Sequence, residues 1–170
     1  MAAVDVKNKE SNYYNHSTGL LVSILLRYPE IGTISCSKEA QTITFKFLIS
    51  PNYNYELLKE KLKQALEIYH SFEGGKMEVC LIEKLEQEVN LLAITRDIVS
   101  LNFNEVNLIV EFLKNELKKD LIIDEIILLK DEVLFQEDVI NHLLANIRIN
   151  GTENNITAIR EDGRVLVFNG

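Results

Sequence analysis

The sequence predicts an α+β fold in which an antiparallel sheet, built from β-hairpins, is covered on one face by amphipathic helices. Twice along the chain a pair of strand-like runs is followed by a long amphipathic helix, and a further strand pair, 156–168, returns behind a third helix. The helices are apolar on one side only, which is typical of helices that pack on a single sheet face. We therefore expect two ββα units followed by a C-terminal helix and hairpin.

Length and composition indicate one domain. A chain of 170 residues, 46% of them hydrophobic, lies within the size range of a single core. Residues 1–18 are polar, rich in asparagine and without apolar periodicity, which predicts a flexible leader. The domain then covers 19–170, with the two ββα units in 19–123 and the C-terminal helix and hairpin as an extension in 124–170.

The first ββα unit follows a short apolar run, 19–28, whose length fits either a helix or a strand. Strands are predicted at 31–37 and 42–49, where apolar residues alternate with Thr, Ser and Lys. A helix comes next, with Asn54 as a start signal and Gly74 as an end signal. Its apolar side consists of Leu58, Leu62, Ala65, Leu66, Tyr69 and Phe72.

The second ββα unit repeats this plan. Strands are predicted at 77–82 and 89–99, and the polar stretch 83–88 makes or adjoins the turn between them. The helix has a stronger start signal than the first one, because Asn102 is a typical N-cap and Glu105 follows three residues later, as in a capping box.

The C-terminal part contains a third helix and a hairpin. The stretch 121–134 fits both periods, and we predict a short strand there followed by irregular structure. A helix is expected over 135–147, because its apolar residues recur at helical spacing. The run 156–168 contains Asp162-Gly163 at its turn, which is a strong hairpin signal.

The order of elements also fits a ferredoxin-like topology. The run 42–123 can be divided into strand, helix, strand, strand, helix and strand, which is the order of that fold. The first strand of a ferredoxin-like sheet is interior, so the additional strand at 31–37 would have to displace the last strand or lie elsewhere.

Charge and cysteine content restrict the function. The net charge of −8 and the pI near 5.0 disfavour nucleic acid, whose phosphates are neutralised by Lys and Arg. Cys36 and Cys80 are too few for a disulfide framework, and no apolar stretch near the N-terminus reaches the ~20 residues that cross a bilayer. We therefore predict a cytoplasmic protein without membrane contact.

No motif for catalysis, a cofactor or a metal is evident, and we predict none of these. Asp138 and His142 share a helix face, but a metal site needs a third ligand. Both cysteines are predicted to be buried in strands, and His70 has no evident catalytic partner. The charged pair Arg96-Asp97 is explained by solvent at the end of a strand.

The last strand is the candidate interaction site. It is apolar on both faces, which predicts burial on both sides within the fold or against a second copy of the chain. The candidate contact residues are Arg160, Arg164, Val165, Val167 and Phe168. The partner predicted from this strand is the chain itself.

Three functions follow from these observations. The first is a non-catalytic, cytoplasmic interaction or regulatory domain that forms a homodimer through the C-terminal strand or an uncovered sheet face. The second is nucleic-acid binding by a winged-helix-like C-terminal part, with Arg160 and Arg164 beside the wing turn, although the candidate recognition helix is acidic. The third is a small enzyme with a pocket on the open sheet face.

Overall fold

The computed structural model describes residues 3–5, 16–123, 130–161 and 163–169. Within them lie four α-helices and one sheet, so the predicted α+β class is confirmed. The helices are α1 (His16–Arg27), α2 (Tyr55–Glu73), α3 (Phe103–Leu117) and α4 (Lys130–Asn150). The strands are β1 (Ala3–Asp5), β2 (Thr33–Ser37), β3 (Thr42–Leu48), β4 (Cys80–Glu86), β5 (Asn90–Asp97), β6 (Ile156–Glu161) and β7 (Arg164–Asn169).

The sheet is antiparallel throughout its described strands, and their order is β1-β7-β6-β2-β3-β5-β4. All three predicted hairpins are present as β2–β3, β4–β5 and β6–β7. The C-terminal hairpin is part of the main sheet, because β6 pairs with β2. Gly163 has a φ of 72° at the last turn, which suits a residue without a side chain, and Asp162 lies outside the described residues.

The hydrophobic core lies between one face of the sheet and the helices. Ile34, Phe45, Ile94 and Ile82 are neighbours across β2, β3, β5 and β4, and all are buried. The helices contribute the other side of the same cluster, with residues such as Leu62 of α2. Because side chains alternate along a strand, the residues between these core positions point to the opposite face.

The helix ends follow the local signals. Asn54 caps α2 by accepting a hydrogen bond from the amide of Leu57, and Gly74 ends it with a φ of 72°. Asn102 caps α3 by accepting from the amide of Glu105 at 2.9 Å. The carboxylate of Glu105 is fully buried against other side chains, so the capping box suggested by the spacing is completed only on the Asn102 side.

Several element boundaries differ from the sequence-based expectation. The run 19–28 belongs, up to Arg27, to helix α1, which begins at His16, inside the predicted leader. Another part of that leader, Ala3–Asp5, pairs with β7. The prediction of irregular structure up to residue 134 is wrong for the described residues from Lys130 onward, since helix α4 begins at Lys130. The reason is that apolar residues at helical spacing continue upstream of residue 135.

The predicted strand at Leu121 is reduced to a single bridge with Ile49. The reason is competition for the edge of β3, because β2 pairs with β3 along Thr33–Ser37 and leaves only the end of β3 accessible. The strands β3, β5 and β4 lie side by side in the order that a ferredoxin-like unit has, and assignment to that topology stays a prediction.

Candidate interaction face

One face of the sheet carries no helix among the described elements, and we call it the open face. It consists of the strand residues that alternate with the core positions. On β2 to β7 these residues are half-buried or exposed, with the exception of Thr42, Asp97 and the small Ala93. Apart from the buried pair Thr42 and Asp97, the open face contains nine residues on β3, β5 and β4, which we call the open patch. They are Thr44, Lys46, Leu48, Leu91, Ala93, Thr95, Leu81, Glu83 and Leu85.

The open patch is arranged in three rows that run across the strands. The middle row is Lys46, Ala93 and Glu83, with one residue on each of β3, β5 and β4. The two charges thus lie on either side of an alanine. Each charge is two strands from the other, which corresponds to roughly 10 Å between their backbones.

The two outer rows of the open patch are uncharged. One consists of Leu48, Leu91 and Leu85, which are all half-buried. The other consists of Thr44, Thr95 and Leu81, and Leu81 is 51% exposed. The two threonine hydroxyls are 2.9 Å apart and satisfy each other. This row can therefore be covered without leaving those hydroxyls unpaired.

The predicted contact residues of the last strand are divided between the two faces. Val165 and Val167 are buried in the core, whereas Phe168 is half-buried on the open face. Arg164 is exposed at the start of β7. Both edges of β7 are occupied, one by β6 and the other by β1, so this strand offers no free edge while β1 is in place.

Arg160 is buried and completes the end of helix α1. Its guanidinium donates hydrogen bonds to the carbonyl oxygens of Leu25, Tyr28 and Ile31. Carbonyls at a helix C-terminus lack partners within the helix and carry partial negative charge, so a buried arginine is a suitable donor. This position withdraws Arg160 from the surface that a nucleic-acid phosphate would contact.

A second buried arginine is the centre of an ion-pair cluster. Arg96 is completely buried and contacts the carboxylates of Glu105 and Asp97, and it also donates to the Ser100 hydroxyl at 2.6 Å. The prediction that solvent accommodates the Arg96-Asp97 pair at a strand end is therefore wrong. The first turn of α3 and the residue Val79, whose carbonyl accepts from Arg96 Nε at 3.1 Å, close over this end.

His70 of helix α2 joins the cluster through Glu105. Its Nε2 contacts Glu105 Oε1, so the carboxylate supplies a partner that the sequence did not reveal. Burial lowers the pKa of His70, and the charge of Arg96 lowers it further, against the opposing effect of Asp97 and Glu73. A neutral imidazole beside a carboxylate must carry its proton on Nε2, because the carboxylate only accepts.

Asp97 is held by backbone and side-chain donors. Burial raises its pKa, but hydrogen bonds from Ser100 and Val79 and the charge of Arg96 outweigh this effect, so the pKa of Asp97 lies below its ordinary value. The carboxylate accepts from the amides of Glu78, Val79 and Ser100 at 3.0–3.2 Å. The cluster therefore joins β4, β5, α2 and α3 at one end of the molecule.

Sequence reasoning missed the assembly of this cluster. The sequence does show an Arg-Asp pair in an otherwise apolar strand, which is an indication of buried charge. It does not show that His70 and Glu105, which are 35 residues apart in the chain, meet beside this pair. A narrow apolar gap, too small to admit a water molecule, lies elsewhere, between the sheet and α3. It is lined by Ile31, Phe45, Phe47, Val106, Ile109 and Val110.

Neither the cysteines nor the Asp138–His142 pair on α4 forms part of a reactive or metal-binding site in the described residues. Cys36 is buried, as predicted, and burial raises the pKa of its thiol to about 12. Cys80 is half-buried, and burial also raises the pKa of its thiol. Asp138 and His142 are exposed on α4. Within the described residues, no group of three or more His, Cys, Asp or Glu side chains is arranged to hold a metal ion.

No protein-family model matches the chain, and neither a curated protein nor a solved structure matches it. None of the helices in the described ranges combines the length and the apolar character needed to cross a bilayer.

Proposed function

We propose that this chain is a non-catalytic, cytoplasmic interaction domain that forms a homodimer through the open face of its sheet. The observation that supports this function is the open patch, where five of nine residues are apolar and no described element covers them. An uncovered sheet face with half-buried leucines is a typical protein contact surface. The edge of β7 is the contact that the sequence suggested. It is less favoured, because β1 pairs with that edge.

Charge does not oppose association at the open patch. The chain has a net charge of −8, and two such molecules repel each other on average. The open patch contains only Lys46 and Glu83 as charged residues, so its net charge is zero. Contact at the open patch therefore adds no net like charge between two copies.

The positions of the cysteines fit a reducing compartment. Cys36 lies on β2 and Cys80 on β4, with β3 and β5 between them. This separation amounts to roughly 14 Å across the sheet, which is too far for a disulfide. Both thiols are free, which supports the cytoplasmic location that we propose.

Sedimentation equilibrium over about 5 µM to about 1 mM tests self-association. We expect reversible dimers whose fraction rises with concentration, and the variant Leu91→Lys should remain monomeric because it places a charge in the leucine row. The matched control is Ile149→Lys, at an 83% exposed position on α4, which should associate like the unmodified chain. A monomer at every concentration would contradict the proposed function.

Nucleic-acid binding is the alternative that the same chain can be tested for directly. The buried position of Arg160 removes one of the two basic residues on which that hypothesis depended. Filter binding at low salt with duplex DNA and with RNA should give no retention. Retention that weakens with salt would favour this alternative.

A further inference from the structure

We propose that the second copy lies on the open patch with a twofold axis directed along β5, so that Lys46 of each molecule faces Glu83 of the other. This inference rests on the proposed function, because it specifies the geometry of the homodimer. It is carried by the order of residues in the three rows of the patch.

The middle row determines the pairing of charges. Lys46 and Glu83 are both direct neighbours of Ala93, one on each side. A rotation of 180° about an axis along β5 exchanges the positions of β3 and β4 when two open faces meet. Lys46 then lies opposite Glu83, and Ala93 lies opposite its own copy, where its small side chain allows the sheets to approach.

The outer rows are complementary under the same rotation. Leu48 faces Leu85, and Leu91 faces its own copy, so one side of the contact is formed by leucines alone. On the other side Thr44 faces the exposed Leu81. The leucine contacts remove apolar surface from water, which is the main favourable contribution to protein association.

A twofold axis along either neighbouring strand, β3 or β4, would be unfavourable. An axis along β3 would place Lys46 opposite Lys46, and an axis along β4 would place Glu83 opposite Glu83. Like charges brought into contact oppose association. Among axes along these three strands, the one along β5 is the arrangement in which both charges meet their opposites.

The open patch is complementary to its own copy, which favours a second copy of the chain as the partner. A twofold interface uses the same surface on both molecules, so each charged residue must find its complement within its own patch. The open patch meets this condition with one lysine and one glutamate. The patch measures roughly 14 Å by 13 Å, less than the ~800 Å² per partner of stable interfaces, so we expect a weak and readily reversible dimer.

Charge reversal tests the pairing. The single variants Lys46→Glu and Glu83→Lys each create two like-charge contacts, and we expect each to weaken the dimer at least about tenfold in sedimentation equilibrium. An equimolar mixture of the two variants should form a heterodimer as stable as the original dimer, because both contacts are again between opposite charges. The double variant should also restore the homodimer.

The controls carry the same charge changes away from the patch. Lys63→Glu on helix α2 and Glu153→Lys between α4 and β6 are at exposed positions and should dimerise like the unmodified chain. Circular dichroism of every variant verifies that the fold is retained.

The outcomes separate the two proposals. If the unmodified chain dimerises but the single reversals do not weaken it, the twofold axis along β5 is wrong while self-association stands. If both singles are folded monomers and their mixture does not associate, the pairing of Lys46 with Glu83 is also wrong. If the unmodified chain is monomeric throughout, the proposed function itself fails.

Discussion

Adjacent residues of one strand show how different the two faces of this sheet are. On β3, Phe45 and Phe47 are buried under the helices, whereas Thr44, Lys46 and Leu48 on the open face are only half-buried. The alternation places the aromatic residues of β3 on one face and its threonines and lysine on the other, so the strand already marks the face that becomes buried. The helices complete this burial, because they all contribute to a single core cluster on that side.

The comparison extends to charged residues. On the covered side Arg96 is surrounded by Glu105, Asp97 and Ser100, so its charge is matched within the chain. On the open face Lys46 and Glu83 are separated by Ala93 and are not matched in this way. Groups that are satisfied internally stabilise the fold, whereas unmatched groups remain available to a partner.

The largest difference between the faces is expected from truncating core residues. Phe45→Ala should lower the free energy of unfolding by about 3–5 kcal/mol, because it removes a fully buried ring. The neighbouring Thr44→Ala should cost less than about 1 kcal/mol, since it removes only a cross-strand hydroxyl contact. Urea denaturation at a low protein concentration of about 5 µM measures both. Similar losses would show that the two faces are not distinct.

The next largest effect should come from the buried ion-pair cluster. Glu105→Ala leaves Arg96 and His70 buried without their shared carboxylate, and we expect a loss of about 3 kcal/mol. Glu137→Ala is the matched control, because it breaks a partly exposed ion pair with Arg27 and should cost at most about 1 kcal/mol. Chemical denaturation of both variants at pH 7 compares them. Equal losses would contradict a special role for the buried cluster.

The smallest effect should be a dependence of stability on pH from His70. Its pKa is lowered from the ordinary 6.5, so between the two values the unfolded chain binds a proton that the folded chain does not. Stability is therefore fully present above pH 6.5 and falls as the pH drops below it. Asp97, whose pKa is lowered from 3.8, adds its own loss only below pH 3.8.

Thermal unfolding between pH 7 and pH 5 measures the His70 contribution. The variant His70→Gln keeps a donor toward Glu105 and should lack the step, although it is less stable overall. The other histidines, His16 and His142, are exposed and serve as control positions for the same substitution. A step that persists in His70→Gln would assign it to other groups.

Much of the fold follows from local signals. The hairpins, the caps Asn54 and Asn102 and the turn at Gly163 depend on neighbours within a few residues, and all were predictable. The helix at 16–27 was not, because its short apolar run fits a helix and a strand equally well. The single bridge at Leu121 was not either, because it depends on which distant strand occupies the edge of β3. Two of the contact residues predicted on the last strand, Val165 and Val167, are instead buried in the core.

By itself, the sequence determined the α+β class, the three hairpins and one apolar side for the helices, because periodicity and turn chemistry are local properties. Tertiary structure alone decided the position of β7 inside the sheet, the burial of Arg96 and Arg160, and the convergence of His70 on Glu105. The same holds for the rows of the open patch. These features depend on contacts between residues far apart in the chain, and such pairings are set by the packing of the whole domain rather than by any short stretch of it.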